Sequence, residues 1–310
     1  MDKDFKLTYI VVLNYNGFDD TVECIESLLK IEDEFKIVVV DNSESEDDFN
    51  KFKARFPKFR FFYEKHYERV SDRVVFIKSL KNGGFSAGNN IGIRYAFFCG
   101  DFKYIWVLNN DTVVDKNALK FLKEKIEKVD KKVGFLGNKL LYYNSNTIQA
   151  IGGKYNKFIA QAVGVGAFEE DKGQYDRKDI RKIVDYPVGA SMFFKKEFLE
   201  EVGFFNETYF LYFEEMDYVI RAKNMGWDFD ICYKAKVWHK EGKSTREHLF
   251  LRSEFSDLIN LKNRIIFTKR YFPCYLPFVY LSFVPVIMNR IKRKRFKVIK
   301  EIVKFMIGIK

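Results

Sequence analysis

The sequence predicts an α/β protein built on a mostly parallel, doubly wound sheet flanked by helices. Short β-branched, apolar runs recur along the first half of the chain, each run ends in a polar loop, and segments of helical periodicity lie between them. Thr8–Leu13, Phe35–Val40 and Tyr104–Leu108 are such runs. Alternation of strands and helices is typical of βαβ units, whose crossovers bring the strand ends to one edge of the sheet.

The individual elements follow from local signals. Thr8–Leu13 ends at the loop Asn14–Gly17, and a helix is predicted from about Asp19 because acidic side chains precede apolar residues at helical spacing. Phe35–Val40 then completes the first βαβ unit. The next predicted elements are a helix near 47–56, a strand at 74–77, a helix over about 86–98, a strand at 104–108 and a helix over about 116–128.

The second half of the chain has a weaker pattern. After Val133 several glycines interrupt a loosely strand-like region, which predicts a layer separate from the first sheet. From about Leu249 the pattern is helical, and Tyr271–Met288 contains no charged residue. Because three of the chain's five prolines lie in this apolar segment, we expect short helical pieces there rather than an unbroken helix.

The charge of the protein is concentrated at its C-terminus. The 54 Lys and Arg and the 43 Asp and Glu residues give a net charge of +11, and +8 of it lies in residues 289–310. A groove that binds nucleic acid would need basic side chains across a folded face, so we expect no nucleic-acid partner. A basic run after an apolar, aromatic segment favours an anionic membrane surface instead.

Two further patterns concern the cellular compartment. The four cysteines are far apart and form no CxxC pair, so they indicate neither a zinc site nor a disulfide framework. Met1–Lys6 lacks the apolar stretch of a secretory signal. Both patterns favour a reducing, cytoplasmic location.

Polar clusters at the predicted strand ends are the candidate functional residues. Taken singly, each has an ordinary structural explanation: Asp41-Asn42-Ser43 is a common turn, Glu214–Asp217 is a common solvated charge run, and His239 among apolar neighbours is more often structural. Their order along the chain is more informative. Seven segments form the pattern: Ile10–Gly17, Val38–Asp47, Asn82–Ala96, Trp106–Thr112, Gly189–Glu207, Tyr212–Trp227 and Val237–Ser244.

In this order the seven segments resemble the inverting, metal-dependent glycosyltransferases of family 2, in the rhamnosyltransferase-like branch. The resemblance extends over about three quarters of the chain, from Tyr9 to Ser244. It implies a GT-A fold: a mostly parallel, Rossmann-like sheet with helices on both sides. It also implies a catalytic domain over residues 1–248, with a nucleotide-sugar-binding half (1–112) and an acceptor-side half (113–248), followed by a helical, aromatic and basic extension over 249–310.

The resemblance implies a Mn²⁺ or Mg²⁺ cofactor that neutralises charge on the departing diphosphate. The family's D-x-D motif corresponds to Asn109-Asn110-Asp111, in which the first acid is replaced by an amide. Asp111 and the late histidine His239 are therefore the expected metal ligands, and Asn109 is expected to contribute only a neutral oxygen to the donor. With a single carboxylate, the affinity of the free enzyme for metal should be low.

The remaining donor contacts implied by the resemblance lie at the ends of the first strands. Asp41 corresponds to the residue that accepts a hydrogen bond from the nucleotide base. Asn14, Tyr15 and Asn16 lie in the loop expected to surround the nucleoside, and Asn82 lies in a later loop of the same site.

Inversion in a single displacement requires a general base that takes the proton of the acceptor hydroxyl. The family places this base in an acidic pair, here Glu214-Glu215, in which Glu215 matches the catalytic position and Glu214 is the second candidate. Asp217 is expected to have a structural or acceptor-positioning role, because it points to another side of the helix.

The implied substrates are a nucleotide-diphosphate sugar, such as dTDP-rhamnose or a UDP-sugar, and a glycan or lipid-linked glycan acceptor in cell-surface polysaccharide synthesis. The apolar and basic extension predicts peripheral attachment to the cytoplasmic face of the membrane. A dehydrogenase is disfavoured because no G-x-G-x-x-G turn follows the first strand. A nucleotidyltransferase, or a noncatalytic lipid-binding or nucleic-acid-binding module, remains the alternative.

Overall fold

The computed structural model describes residues 7–176, 179–240, 246–248 and 251–308. The N-terminal segment Met1–Lys6, the last residues of the Val237–Ser244 motif and the terminal Lys310 lie outside the described residues, so the predictions that involve them are not addressed by the structure.

The strands begin and end close to the predicted positions in the first half of the chain. They are β1 (Thr8–Asn14), β2 (Phe35–Asp41), β3 (Arg60–Tyr63), β4 (Val74–Lys78), β5 (Tyr104–Asn109), β6 (Thr112–Val114), β7 (Val133–Tyr142), β8 (Ile148–Ala150), β9 (Gly153–Asn156), β10 (Gln161–Gly164), β11 (Ser191–Lys195), β12 (Asp228–His239), β13 (Arg246–His248) and β14 (Leu251–Arg252).

The helices connect these strands and then form the C-terminal part of the chain. They are α1 (Phe18–Leu28), α2 (Asp47–Arg55), α3 (Gly84–Cys99), α4 (Ala118–Lys128), α5 (Ile180–Ile183), α6 (Lys196–Val202), α7 (Glu214–Asn224), α8 (Glu254–Tyr271), α9 (Leu276–Lys292) and α10 (Phe296–Met306).

In the described part of the chain, ten strands form one sheet in the order β3-β4-β2-β1-β5-β11-β7-β12-β6, with β8 paired to β7. The pairs on the β3 side, from β3 through β5, are all parallel. Two buried clusters cover the two faces of the sheet, one beneath α3 and α7 and the other beneath α1, α2 and α4. The predicted mostly parallel α/β class is therefore confirmed.

The expectation of a separate second layer after Val133 is wrong. β11 inserts antiparallel between β5 and β7, and β12 continues the sheet parallel to β7. β7 and β11 are buried on both faces, so their sequences lack the clear alternation that would have indicated a sheet. The weak strand pattern after Val133 therefore corresponds to a change of strand direction within one sheet.

The helical C-terminal part begins later than predicted. Residues Leu251–Arg252 form a short strand, and α8 begins at Glu254, where the hydroxyl of Ser253 accepts a hydrogen bond from the backbone N–H of Ser256 at 3.1 Å. A serine in this position satisfies one of the free N–H groups of the first turn, which fixes the start of the helix.

Proline does not fragment the apolar segment. A 3₁₀ turn over Pro273–Tyr275 leads into α9, which continues for 17 residues through Pro285. Pro277 lies in the first turn, where a missing N–H costs nothing, and Pro285 removes only one internal hydrogen bond. The expectation of short helical pieces is wrong.

The stretch Pro273–Lys292 is long and apolar enough to cross a membrane. It has 20 residues and a mean hydropathy of 1.4, and only 11% of its apolar part is buried inside the protein.

The three C-terminal helices pack on one another. Leu261 and Ile265 of α8, Val279 and Phe283 of α9, and residues of α10 form one buried cluster. The carboxylate of Asp257 on α8 accepts two hydrogen bonds from Arg290, at 2.6 and 3.0 Å, and lies 3.5 Å from Arg295. Two of the basic residues predicted to contact lipid are thus engaged inside the protein.

Candidate active site

A cavity of about 340 Å³ opens at the carboxyl ends of β1, β2 and β5, the edge at which doubly wound sheets bind their ligands. Tyr15, Asn82 and Asn109, three of the residues predicted to contact the nucleotide, line it. The opposite wall comes from a loop before α7 and from the first turn of α8.

Two other predicted donor residues lie beneath this cavity. Asn14 and Asp41 have no exposed surface, and the amide of Asn14 donates to Asp41 Oδ1 at 2.9 Å. Asp41 Oδ2 lies 3.1 Å from the ammonium group of Lys78. A nucleotide base would have to displace this ion pair to reach the carboxylate, so the contact of Asp41 with the base stays a prediction. Asn16 is exposed at the rim, with a φ of 50°.

Asn82 organises the rim of the cavity. Its Oδ1 accepts from Asn42 Nδ2 at 2.9 Å and from the backbone N–H of Gly84 at 3.0 Å, and its Nδ2 donates to Glu44 Oε1 at 2.9 Å. The last bond lowers the pKa of Glu44, which keeps this carboxylate ionised. A negative charge therefore lies at the rim, next to Tyr15, whose hydroxyl is 3.4 Å from the same carboxylate oxygen.

The first residue of α3 brings the loop before α7 into close contact. Gly84 has a φ of +78°, and a Cβ added there would lie 2.1 Å from the carbonyl oxygen of Phe210. The next residue, Phe85, donates its N–H to that carbonyl at 2.7 Å. Only glycine fits this approach of two backbones.

We expect Gly84→Ala to lower the free energy of unfolding by about 2–4 kcal/mol, because it combines a strained φ with overlap of backbone atoms. Gly100→Ala is the matched control: its φ is +74°, but its nearest neighbour would be 3.8 Å away, and a loss of about 1 kcal/mol is expected. Urea denaturation of both variants measures the difference. Equal losses would show that the close approach at Gly84 contributes nothing.

The expected metal ligands lie together beside the cavity. Asp111 Oδ1 is 3.1 Å from His239 Nε2, and the amide nitrogen of Asn109 is 3.4 Å from the same ring nitrogen. β6 and the end of β12 pair antiparallel, with His239 opposite Thr112, and this pairing brings the histidine to the polar loop after β5. Residues separated by more than 120 positions therefore share one small site.

Gln149 orients the imidazole ring. Its Oε1 lies 2.7 Å from His239 Nδ1, so in the neutral ring Nδ1 carries the hydrogen and Nε2 presents its lone pair to Asp111. A lone pair facing a carboxylate is the arrangement that a cation between them would stabilise, and an amide acceptor behind the ring is a common support for a metal-binding histidine. The residues present thus fit Mn²⁺ or Mg²⁺.

The site offers few protein ligands. Among the described residues, no group of three or more His, Cys, Asp and Glu side chains is close enough to hold a metal ion. Asp111 and His239 would leave most coordination positions to the oxygens of a diphosphate, as a Mg²⁺- or Mn²⁺-dependent transfer requires.

The acidic pair lies at the N-terminus of α7, facing a second cavity of about 330 Å³. Glu215 lines this cavity together with Tyr186, Tyr212 and Asn260, whereas Glu214 is buried behind it. The two positions are therefore not equivalent, and Glu215 is the carboxylate that faces the space available to an acceptor.

The environment raises the pKa of both carboxyl groups. Burial, and next the charge of its neighbour Glu215, raise the pKa of Glu214 well above the ordinary value for a carboxyl group. Burial also raises the pKa of Glu215, although backbone hydrogen bonds, one of them from Gly189, oppose the shift. A carboxylate with a raised pKa in a cavity is typical of a general base.

The two cavities are separated only by a narrow backbone segment. Phe210 and Leu211 line the first cavity, whereas Tyr212 and Phe213 line the second. A Cβ added at Gly189 would lie 3.4 Å from Glu215 Oε1 and 3.8 Å from the ring of Phe85, which belongs to the first cavity. The carboxylate of Glu215 thus lies at the junction of the two spaces.

Asp217 is buried and structural in its contacts. It accepts hydrogen bonds from the amide of Asn206 at 3.1 Å, the guanidinium of Arg221 at 2.8 Å and the hydroxyl of Tyr271 at 2.6 Å. These contacts join α7 to the chain before it and to the end of α8.

The sequence did not reveal the contribution of α8 to this site. Ser253, Phe255 and Ser256 line the first cavity, and Asn260 lines the second. All of them follow residue 248, where the sequence-based domain boundary was placed. The spacing of positions 255, 256 and 260 indicates a site only when the position of the helix relative to the cavities is already known.

The fold and the site together define a class: a doubly wound sheet with a donor-sized cavity at its carboxyl edge and a buried acidic pair beside it is the GT-A arrangement of glycosyltransferases. The chain belongs to glycosyltransferase family 2, because the family model described as glycosyltransferase like family 2 matches residues 6–268. The protein is therefore a glycosyltransferase, and the alternative functions considered from the sequence are set aside.

Similar proteins agree with this assignment. The chain is 22% identical over 263 residues to the low-salt glycan biosynthesis hexosyltransferase Agl10 of Haloferax volcanii. The aligned region covers 81% of this chain and 80% of that protein. The rhamnosyltransferase-like branch is not identified by this comparison.

Two solved structures share the fold. The structure of GalNAc-T7 with UDP, GalNAc and Mn²⁺ has a TM-score of 0.64 at 15% identity and covers 90% of this chain, which spans 50% of that longer protein. The mannosyltransferase PcManGT of Pyrobaculum calidifontis, in complex with GDP-Man and Mn²⁺, has a TM-score of 0.53 at 11% identity and covers 98% of this chain and 87% of its own.

Proposed function

We propose that this protein is an inverting, metal-dependent hexosyltransferase that moves a sugar from a nucleotide-diphosphate sugar to a hydroxyl group of a glycan or lipid-linked glycan. The observation that carries the proposal is the position of Glu215, which faces one cavity while lying at the edge of another. A donor in the first cavity and an acceptor in the second would meet at this carboxylate.

The reaction follows from this arrangement. The acceptor oxygen attacks the anomeric carbon from the side opposite the diphosphate, Glu215 takes the hydroxyl proton, and the diphosphate leaves with the bonding electrons. The single displacement inverts the anomeric configuration. Mn²⁺ or Mg²⁺ held by Asp111 and His239 would supply Lewis-acid stabilisation of the leaving group. Asn109 lines the same edge of the donor cavity, where its amide offers neutral hydrogen-bonding groups to the donor.

Donor identity is the finer part of the proposal. dTDP-rhamnose or a UDP-sugar follows from the motif resemblance, and synthesis of cell-surface polysaccharide follows from the same source. The known relative is a glycan biosynthesis hexosyltransferase, and the similar structures hold UDP with GalNAc and GDP-Man, so a nucleotide sugar is supported as a class.

A panel of nucleotide sugars tests the proposal directly. With Mn²⁺ present, we expect release of UDP or dTDP from one class of donor, slowly without an acceptor and faster with one, and no release when EDTA is added. Donor binding measured by calorimetry, without turnover, provides a second readout. A protein that neither binds nor cleaves any donor in the panel would contradict the proposal.

We also propose that the C-terminal helices attach the enzyme to the cytoplasmic face of a membrane. Apolar side chains at intervals of three or four residues along α9 are about half exposed or more: Phe278, Leu281, Val284, Met288 and Ile291. A contiguous exposed apolar stripe of this kind is typical of a surface that meets a partner or a membrane. Because Lys297 and Lys300 on the adjacent helix are exposed, anionic lipid is the partner that this surface favours.

Reversing the charge of both lysines, in Lys297→Glu/Lys300→Glu, is expected to weaken binding to vesicles of phosphatidylglycerol and phosphatidylcholine by about thirtyfold or more. The estimate takes about 1 kcal/mol for each basic residue near an anionic surface. Sedimentation with the vesicles at low salt measures the loss. Lys120→Glu/Lys128→Glu on α4 carries the same charge change on another exposed surface and should retain binding. Equal losses in both variants, or no binding by the unaltered protein, would contradict a specific membrane surface.

A further inference from the structure

Helix α8 touches both cavities and the segment that separates them. Its first turn contributes Phe255 and Ser256 to the donor cavity, and its second turn contributes Asn260 to the acceptor cavity. One turn further on, Asn263 is buried, with 3% of its surface exposed, and faces the backbone between the cavities.

The segment between the cavities has an unfavourable backbone conformation. Tyr212 and Phe213 have φ values of 70° and 73°, so two consecutive residues with side chains adopt the left-handed region. Residues other than glycine adopt this conformation at a cost, and they keep it only where the surrounding structure holds them. Glu214 and Glu215 follow immediately, so this turn decides where the two carboxyl groups point.

Asn263 supplies the restraint. Its Nδ2 donates to the carbonyl oxygen of Leu211 at 2.9 Å and to that of Tyr212 at 3.1 Å. An amide NH₂ group has two hydrogens, and both are used on adjacent carbonyls of one turn. Gly84 and Phe85 hold the preceding carbonyl, that of Phe210, from the other side. The turn is thus fixed from both directions.

We propose that Asn263 is a positioning residue for the transfer reaction: it fixes the turn that carries the general base, so that Glu215 faces the acceptor while Leu211 closes the donor cavity. The inference rests on the proposed function of Glu215 as the base. It assigns to α8 a part in catalysis, although Asn263 itself is not placed in contact with either substrate.

The proposal predicts a specific pattern for Asn263→Ala. Loss of both hydrogen bonds removes the side-chain restraint on the carbonyls of Leu211 and Tyr212 and lets the turn relax, so kcat is expected to fall by about 10- to 100-fold, the range found when a group that orients an active-site residue is removed. The Michaelis constant for the donor should change by a smaller factor than kcat, because Asn263 does not line the donor cavity and acts on it only through Leu211.

The pH profile separates positioning from general destabilisation. The titratable groups that face Glu215 among the described residues are Glu214 on the same helix and the phenols of Tyr186 and Tyr212, which line the same cavity. Burial raises the pKa of Glu215, and a base works only when deprotonated, so activity falls as the pH drops through that pKa. A relaxed turn admits water and lowers the raised pKa, so the acid limb of the kcat profile should move to lower pH in Asn263→Ala.

Thr268→Ala is the matched control. Thr268 is fully buried on the same helix, and its hydroxyl donates to the carbonyl of Arg264 at 2.7 Å without touching the turn. We expect it to lower stability without moving the pH profile. Asn263→Ser keeps a short hydrogen-bond donor, so its kcat should lie between that of the wild type and that of Asn263→Ala. It replaces Asn263→Ala in the test if the alanine variant does not fold. All assays use the full chain below the unfolding midpoint of each variant.

The outcomes are distinguishable from failure of the proposed function. If the wild type releases nucleoside diphosphate but folded Asn263→Ala or Asn263→Ser has the wild-type kcat and pH profile, the positioning role is wrong while the enzyme assignment stands. If Thr268→Ala causes the same loss and the same shift, the effect comes from helix stability and the proposal is also wrong. Donor binding by calorimetry verifies in each case that the donor cavity is intact.

Discussion

Glu215→Gln is expected to lower kcat by about 10²–10⁴-fold while donor affinity stays close to that of the wild type. Glutamine keeps the shape of the side chain but cannot accept the hydroxyl proton, and Glu215 faces the acceptor cavity rather than the donor cavity. Steady-state rates of nucleoside diphosphate release, together with donor titrations, measure the two effects separately.

Two other glutamates provide the comparison. Glu214→Gln should cost less, because the Glu214 side chain is buried behind Glu215 and its raised pKa favours the neutral form that an amide resembles. Glu197→Gln, on the exposed surface of α6, should have no effect. If Glu214→Gln abolished turnover while Glu215→Gln did not, the roles within the acidic pair would have to be exchanged.

Loss of either expected metal ligand should have the second largest effect. Asp111→Ala and His239→Ala are each expected to lower metal-dependent transfer by about a hundredfold or more, because the charge that develops on the diphosphate then lacks a held counter-ion. Both side chains lie at the polar ends of strands beside a cavity rather than in the apolar core, so the midpoint of thermal unfolding should change little.

Gln149→Leu provides a graded test of the same site. It removes the acceptor behind His239 Nδ1 without removing a ligand, and such changes typically weaken metal affinity by about 10- to 100-fold. We therefore expect its activity to recover at high Mn²⁺ concentration, whereas that of Asp111→Ala should not. Binding of Mn²⁺ measured by electron paramagnetic resonance in the presence of UDP gives a readout independent of turnover. Full activity of Asp111→Ala at saturating Mn²⁺ would remove Asp111 from the site.

The sequence predicted the parallel half of the fold well because its signals are local. Buried runs such as Phe35–Val40 and the acidic first turn of α1 indicate their elements without help from distant contacts. The mixed half depends on which strand lies next to which: β11 pairs with β5, more than 80 residues away, and nothing in its own five residues records that choice. The order of the strands is therefore set by long-range packing and is not encoded in the sequence of any one strand.

The same distinction explains the site. Asp111 and Glu215 were predicted because short motifs carry them, and the structure places both beside cavities. Asn263 and Gln149 act through long-range hydrogen bonds, two from Asn263 and one from Gln149, and neither residue belongs to a recurring motif. Asp41 was identified by its motif, but only the structure shows that Lys78 is paired with it.

The pairing of Asp257 with Arg290 and Arg295 has a consequence for protein engineering. Because α8 carries Asp257 as well as the residues that meet both cavities, the apolar helix α9 is bound to the same element that shapes the site. A truncated version that ends before α9 would leave the carboxylate of Asp257 without Arg290 and Arg295 and the apolar side of α8 uncovered. Chimeras that exchange C-terminal helices between related enzymes should therefore place the junction before Glu254, so that α9 and its supporting helix are transferred as one module.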